Sequence, residues 1–116
     1  MKYEQDIKDR TQKFGVRIIK LCIELRKGEI DFALVRQLLR SGTSVGANVR
    51  EAKASSTRKE LIRFYEIALR SANETEYWMD IIREGYGLTL QRMDDDEKEL
   101  MEVSRVIATI VINLKK

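Results

Sequence analysis

The sequence predicts an all-α protein, an antiparallel up-and-down four-helix bundle in which residues 1–116 form a single domain. Apolar residues recur every three or four positions along four segments. Proline is absent, so no ring breaks a long helix from inside. The connections are short, and no segment alternates with period two for long enough to form a strand. We expect helices near residues 3–27, 31–54, 57–85 and 94–115, with each boundary placed to within about 2–4 residues.

The first two helices are predicted from their apolar sides. The first has a core side of Tyr3, Ile7, Phe14, Ile18, Leu21 and Leu25. The second has a core side of Val35, Leu38, Leu39, Gly42, Val45, Val49 and Ala52, opposite a polar side of Gln37, Arg40, Ser41, Ser44, Asn48, Glu51 and Ser55. Asp31 is the expected N-cap, because a short carboxylate accepts the free N–H groups of a first turn. Gly42 is expected where two helices approach closely.

The last two helices follow the same periodicity. Thr57 and Glu60 have the spacing of a capping box, so the third helix should begin there. Its core side is Leu61, Phe64, Ala68, Ala72, Thr75, Met79 and Ile82, and Gly85 and Gly87 should end it. The fourth helix has a core side of Leu100, Val103, Ile107, Ile110 and Leu114. The acidic run 94–97 should open it, since the helix dipole favours acids there.

The composition argues against catalysis. The chain has no histidine, which excludes Ser–His–Asp sites, Cys–His sites and histidine-ligated metals. Neither a G-x-x-x-x-G-K-[ST] phosphate loop nor a G-x-G-x-x-G motif occurs. Carboxylate-only metal sites stay open, although the known bundle pattern needs Glu-x-x-His. We therefore expect no enzymatic activity, no catalytic residue, no cofactor and no metal.

The expected compartment is the cytoplasm. No apolar run approaches the ~20 residues that span a bilayer, and the charged N-terminal segment is unlike a signal peptide. Cys22 is the single cysteine and cannot form an internal disulfide. Because Cys22 lies beside the first core stripe with no histidine to activate it, we expect an inert, small apolar residue.

Two helices carry apolar residues away from their core sides. These are Val16, Ile19 and Ile23 on the first helix and Met101, Ala108 and Ile112 on the fourth. Apolar patches at helical spacing often mark interfaces, so the sequence predicts self-association through these six residues. The alternative is a wide core that covers them within one chain.

The first helix also carries a basic stripe, formed by Lys2, Arg10, Lys13, Arg17, Lys20 and Lys27. Residues 1–27 contain eight basic and four acidic side chains, whereas residues 93–116 contain four and six. The stripe fits contact with nucleic-acid phosphates, where bound cations release counterions. Asp6, Asp9 and Glu24 dilute it, and an ordinary solvated surface with i,i+4 ion pairs is the alternative. Recognition-helix and zinc-finger signatures are absent from the sequence.

A longer motif carries a family resemblance. The runs LLRSGTSVGANVREA and LIRFYEIALRSANETEYW contain an R-S-x-x-S-x-x-x-N-x-x-E pattern and an A-x-E-x-x-Y-W pattern. The matching residues are Arg40, Ser41, Ser44, Asn48 and Glu51, followed by Ala72, Glu74, Tyr77 and Trp78. This motif resembles the four-helix-bundle family encoded by intervening sequences in bacterial 23S ribosomal RNA genes. It is also similar to the accessory variability proteins of diversity-generating retroelements. Many relatives have Pro and Gly in place of Gly46 and Ala52.

The resemblance implies up-and-down bundles that assemble into homopentamers. A dimer or tetramer is the next expectation on general grounds, since small even assemblies dominate. In the retroelement branch it implies a basic, nucleic-acid-binding partner of a reverse transcriptase, and in the ribosomal branch it implies no defined activity. For the motif itself our hypothesis is contact with another helix, within the subunit or across an interface. The residues concerned are Arg40, Ser41, Ser44, Asn48, Glu51, Ser71, Glu74 and Trp78. The alternative is a solvated polar face.

Two function classes follow from the sequence. The first is a non-enzymatic, oligomeric protein associated with RNA or DNA, near ribosomal RNA or a reverse transcriptase. The second is a structural adaptor between proteins, in which the basic stripe is incidental. Salt-dependent binding to generic nucleic acid separates them, because a phosphate-driven complex weakens steeply as salt rises.

Overall fold

The computed structural model describes the backbone of residues 2–116 and the side chains from Asp6 onward. Across this part of the chain there are four helices and no strand: α1 (Lys2–Lys27), α2 (Phe32–Lys53), α3 (Arg58–Tyr86) and α4 (Gln91–Leu114). The predicted all-α, four-helix fold class is therefore confirmed. The predictions for the side chains of Lys2 and Tyr3 lie outside the described residues.

The helix ends follow the predicted signals. The backbone N–H of Ala33 donates to Asp31 Oδ1 at 2.8 Å, which confirms Asp31 as the N-cap of α2. The N–H of Glu60 donates to Thr57 Oγ1 at 3.1 Å, which confirms the cap of α3. Gly87 ends α3 with φ at 62°, in the left-handed region that glycine enters most easily.

The start of α4 lies within the predicted margin, but the prediction that the acidic run opens this helix was wrong. The helix begins at Gln91, three residues before the acidic run, and its N-cap residue Leu90 makes no side-chain cap hydrogen bond. The reason is tertiary: Met93 is buried in the core, so the first turn is fixed by packing. The acidic run then occupies the first two turns, where Gln91 Nε2 donates to Asp95 Oδ1 at 2.9 Å.

Each helix packs against two others. α1 contacts α2 and α4, and α3 contacts α2 and α4, in a bundle of 44 × 21 × 20 Å. Most residues of the predicted core sides are buried, and burying large side chains of this kind contributes about 1.5–3 kcal/mol each. Leu61, Phe64 and Leu114 lie only half-buried at the edge. Tyr65, which the periodicity did not select, is buried in the core.

Two side assignments on α2 were wrong. Leu39 was expected in the core but is 36% exposed, because it lies at the rim of the apolar side and no helix covers it fully. Ser41 was expected on the polar side but is buried against α3. There Ser41 Oγ lies 3.0 Å from Thr75 Oγ1 and 3.3 Å from the Leu38 carbonyl oxygen, both within hydrogen-bond distance. A buried hydroxyl is tolerated because both of its bonds are satisfied.

Gly42 lies where α1 and α2 approach closely, as predicted. A Cβ atom added there would meet two side-chain carbons of Ile18 at 2.7 Å. At Gly46, one turn later, a Cβ would meet the Thr11 carbonyl oxygen at 3.0 Å. These glycines let the two helices pack closely, which no larger residue would allow without movement.

Candidate nucleic-acid interface

Three lysines of the predicted basic stripe form a row on the outer side of α1. Lys13, Lys20 and Lys27 are exposed and seven residues apart, which corresponds to about 10.5 Å of helix rise per step. None of the three makes an ion pair with a described residue. We call Lys13, Lys20 and Lys27 the lysine row.

Arg10, by contrast, forms an ion pair with a residue of α4. Its Nε and Nη2 atoms donate to the two carboxylate oxygens of Glu99 at 2.8 and 2.9 Å. This bidentate pair raises the pKa of Arg10 and lowers the pKa of Glu99, in both cases chiefly through the side-chain hydrogen bond. The structure therefore places Arg10 in the contact between two helices rather than in the lysine row.

Arg17 is also tied to α4. Its Nη1 donates to Asp96 Oδ1 at 3.1 Å, while Asp96 Oδ2 is buried without a hydrogen-bond partner among the described residues. Burial is the largest effect on Asp96 and raises its pKa, and the charge of Arg17 opposes that shift. The Arg17 side chain remains nearly half exposed, so it reaches from this pair to the surface.

The acidic residues that dilute the stripe are placed differently from one another. Glu24 Oε2 accepts from Arg92 Nε of α4 at 2.8 Å, so a cation compensates its charge. Asp6 and Asp9 are exposed in the first half of α1 and lower the net positive charge there. The excess of positive charge on α1 is therefore greatest in its second half, around Lys20 and Lys27.

The residues of the polar motif on α2 lie in different environments. Ser41 is buried, as described above. Ser44 Oγ donates to the Arg40 carbonyl at 2.7 Å, and Asn48 Nδ2 donates to the Ser44 carbonyl at 2.8 Å. Both side chains are half-buried and bond within their own helix, while Arg40 and Glu51 are exposed.

The motif residues of α3 flank the contact with α2. Ser71 is buried and its carbonyl accepts from Thr75 Oγ1 at 2.7 Å. Trp78 is half-buried, and its indole nitrogen is buried without a hydrogen-bond partner among the described residues. Its ring meets the Tyr77 ring edge-on, with centroids 5.2 Å apart. Glu74 is exposed.

The six residues predicted for self-association lie on two different sides of the subunit. Val16, Ile19 and Ile23 are 45–51% exposed on α1, and Val16 and Ile19 line the groove between α1 and α2. On α4, Met101 is 47% and Ile112 is 60% exposed, and Ala108 is half-buried. These exposures leave both sides available for contact with another molecule.

Sequence reasoning missed a second set of cations, on the side where α1 and α2 meet. The set consists of Lys8, Arg26, Arg36 and Arg50, all exposed and without an ion pair to a described residue. Arg50 Nη2 donates to Gln12 Oε1 at 2.8 Å, and the Arg26 guanidinium lies 4.8 Å from the Phe32 ring centre. The seven-residue spacing of Arg36 and Arg50 around Thr43 was a signal that could have revealed this set.

Cys22 is buried between α1 and α2. Its Sγ donates weakly to the Val35 carbonyl at 3.7 Å, and burial raises the thiol pKa to about 11. Across the described residues, no three Cys, Asp or Glu side chains converge as metal ligands would. No described helix combines the length and the apolar character that crossing a membrane requires.

Comparison with known proteins confirms one part of the resemblance, that to the family encoded by intervening sequences in 23S ribosomal RNA genes. The family model described as 23S rRNA-intervening sequence protein matches residues 3–109. A crystal structure of a protein of unknown function from Bacteroides thetaiotaomicron, assigned to the S23 ribosomal protein family, is 34% identical to this chain. The match covers 94% of this chain and 97% of that one, with a TM-score of 0.88. No curated protein matches significantly. The chain therefore belongs to the 23S rRNA-intervening sequence protein family.

Proposed function

We propose that this protein is a non-enzymatic, self-associating protein that contacts RNA through α1, in the 23S ribosomal RNA setting that its family name describes. The observation that carries the proposal is the lysine row. Lys13, Lys20 and Lys27 project from one side of α1 and have no ion-pair partner among the described residues. Flexible, exposed ammonium groups in a line suit phosphates of any sequence.

Arg17 and Arg92 support this surface. Both border the cleft between α1 and α4 next to Lys20, and each is about two-fifths exposed or more while it pairs with a carboxylate. Their charges are partly compensated, so we assign them a lesser role than the lysine row. A row of three lysines binds weakly, and several copies in an oligomer raise the overall affinity through effective concentration.

The proposal includes an antiparallel up-and-down topology. Contacts between α1 and α4 run in opposite order along the two helices, from Arg10 with Glu99 through Arg17 with Asp96 to Glu24 with Arg92. Short connections favour the same arrangement for the other neighbours. With this topology the lysine row lies on a continuous outer side of each subunit. For the oligomer, the resemblance favours a pentamer in the cytoplasm.

The test is a charge reversal of the row. The triple variant Lys13→Glu, Lys20→Glu and Lys27→Glu should weaken binding to generic RNA and DNA alike. The slope of log affinity against log salt should flatten by roughly 0.7–0.9 for each lost phosphate contact. The matched control reverses three exposed lysines elsewhere, Lys59, Lys98 and Lys116, and changes the net charge equally. Arg17 is left unchanged in both variants because it is paired with Asp96.

Equal losses in the two triple variants would show a net-charge effect and contradict a localised surface. No binding by the wild type at low salt would favour the adaptor function instead. That alternative has its own support, since Val16, Ile19, Ile23, Met101 and Ile112 are exposed apolar residues of the kind that protein interfaces bury. Co-purification with a reverse transcriptase would move the proposal toward the retroelement branch.

A further inference from the structure

We infer that one end of the bundle is a stacking platform for an unpaired base, so that the protein binds single-stranded RNA in preference to a duplex. The platform consists of Arg26, Phe32 and Tyr86, where α1 ends, α2 begins and α3 ends. The inference rests on the proposed function, because the lysine row supplies the attraction to phosphates. It adds the class of nucleic acid that this surface accepts.

Phe32 is a large apolar side chain that does not contribute to the core. It is the first residue of α2 and is 54% exposed. It lies neither in the buried core nor among the apolar residues that pack on the edge of that core. Much of its ring is therefore in contact with water, and covering that area with another flat ring is favourable. Every nucleic-acid base has a flat face of this kind.

Arg26 adds a second flat group to the platform. Its guanidinium lies over the Phe32 ring, 4.8 Å from the ring centre. Arg26 makes no ion pair with a described residue, so its charge is not neutralised by a carboxylate. A planar cation on one side of an aromatic ring leaves the other side for a base. Aromatic rings and guanidinium planes are the two kinds of surface on which proteins stack unpaired RNA bases.

Tyr86 provides an exposed ring beside the same connection. It is the last residue of α3 and is 44% exposed. Its hydroxyl oxygen accepts from the backbone N–H of Asp31, the residue before Phe32, at 3.1 Å. This bond connects the end of α3 to the start of α2 and limits the movement of the two rings relative to each other. A surface that is already ordered loses less conformational entropy when it binds a ligand.

The platform lies at one end of the lysine row. Lys27 is the last residue of α1 and the last member of the row, and it follows Arg26 directly. A single strand whose phosphates follow the row therefore brings a base to Phe32 where the row ends. A duplex keeps its bases paired inside the helix and presents no base face along its length. The lysine row binds a duplex without the stacking contribution.

Charge is mixed at this end of the bundle, so the flat side chains and not the net charge distinguish the platform. The exposed acidic residues here include Glu29, Asp31 and Glu84. The exposed cations include Arg26, Lys27, Arg36 and Arg92. Phosphate contacts release counterions, and their number sets the slope of log affinity against log salt. Stacking releases none, so a salt titration separates the contribution of the platform from that of the lysine row.

The test compares a labelled single-stranded RNA of about 12 nucleotides with the duplex that it forms with its complement, by fluorescence anisotropy. The wild type should bind the single strand more tightly by about 10-fold or more. Phe32→Ala should lower the affinity for the single strand by about 5- to 150-fold, the effect of one stacked base. It should leave the duplex affinity and the salt slope unchanged. Tyr77→Ala is the matched control, because Tyr77 is a ring of similar exposure, 56%, outside the platform.

Two further variants separate stacking from an effect on the fold. Phe32→Leu keeps an apolar side chain and removes the flat ring, so it should lose the preference for the single strand. Phe32→Tyr keeps the ring and should bind as the wild type does. A strand that contains 2-aminopurine should lose fluorescence when it binds the wild type, because stacking quenches this base, and should keep it with Phe32→Leu. Helicity and assembly should be the same in all these proteins.

The other outcomes overturn the inference, and the proposed function can stand without it. Equal affinity of the wild type for single strand and duplex removes the platform and leaves the lysine row. Wild-type binding by Phe32→Ala, an equal loss in Tyr77→Ala, or an equal loss for the duplex does the same. Loss of assembly in Phe32→Ala makes Phe32 an interface residue instead. The lysine-row variant should bind both RNAs more weakly with a flatter salt slope. Only a wild type that binds neither RNA at low salt removes both proposals.

Discussion

Helix α1 makes two contacts that differ in character. Toward α2 the contact is apolar and close, with Gly42 directly against Ile18 and the Cys22 thiol buried near a carbonyl of α2. Toward α4 the core is flanked by ion pairs, of which Arg10–Glu99 and Arg17–Asp96 connect the two helices. The contact with α2 depends on shape, whereas the contact with α4 also depends on charge.

The difference changes how the charges of α1 are interpreted. Cations that point toward α4 are held by carboxylates of α4 and contribute to the bundle. Cations on the outer row or toward α2 have no such partner and are available to other molecules. Position around the helix therefore matters more than the number of basic residues. Four predictions test this comparison, beginning with the largest expected effect.

Gly42→Leu should be the most destabilising change. Even a Cβ atom at this position would lie 2.7 Å from carbons of Ile18, so a leucine overpacks the contact with α2. We expect a loss of about 3 kcal/mol in the free energy of unfolding, measured by urea denaturation. Gly15→Ala is the control, because its Cβ meets open space and should stabilise α1 by about 0.5–1 kcal/mol. Equal effects at both glycines would contradict close packing at Gly42.

Arg17→Met should break the contact with α4 at its most buried point. In this variant neither carboxylate oxygen of Asp96 would have a hydrogen bond, although the residue is only 2% exposed. We expect a loss of about 1–2 kcal/mol by urea denaturation, since an unpaired buried carboxylate bears its full desolvation cost. Lys20→Met is the matched control, because Lys20 is exposed and unpaired on the same helix. Adding Asp96→Asn to Arg17→Met should recover part of the loss.

The two carboxylates of this contact should respond to pH in opposite directions. The lowered pKa of Glu99 gives a stabilising contribution above the ordinary glutamate value, and this contribution is lost as pH falls. The raised pKa of Asp96 has the reverse sign, since stability falls as pH rises from the ordinary aspartate value through the raised one. The loss in the free energy of unfolding caused by Glu99→Gln should therefore become smaller as pH falls. Asp96→Asn should become more stable relative to the wild type as pH rises. Urea denaturation between about pH 3 and 7 measures both.

The reactivity of the Cys22 thiol should show whether the contact between α1 and α2 is closed, and measuring it requires no substitution that changes stability. Its thiol is buried and its pKa is about 11, so little thiolate forms near pH 8. In the native protein, a thiol reagent should react with Cys22 only as fast as the contact between α1 and α2 opens. In the denatured protein, it should react at the rate of a free cysteine. Gly42→Leu should speed native labelling more than Arg17→Met does. Rapid labelling of the wild type would contradict a closed contact.

Much of the secondary structure was predictable because helix signals are local. Asp31 and Thr57 cap the next turns through their own side chains, and Gly87 supplies a left-handed residue. The α4 start could not be predicted in this way, because Leu90 gives no cap bond and Met93 is held by the core. Packing with other helices fixed that boundary.

The candidate site was less predictable than the fold. The sequence placed Arg10, Arg17 and the lysine row on one stripe, and only the position of α4 separates the paired arginines from the unpaired lysines. Ser41 is similar, since its burial depends on Thr75 of α3. The second set of cations combines residues of α1 and α2, which periodicity along either helix alone cannot bring together.

By itself the sequence determined that four helices form, where most of the inward-facing residues of each lie and which family motif they carry. These properties depend on spacing along a single helix and on caps within one turn. The tertiary structure alone decided which charges are neutralised, which hydroxyls are buried and which faces remain uncovered. Those properties depend on contacts between residues as far apart as Arg10 and Glu99, and such contacts exist only once the helices have packed.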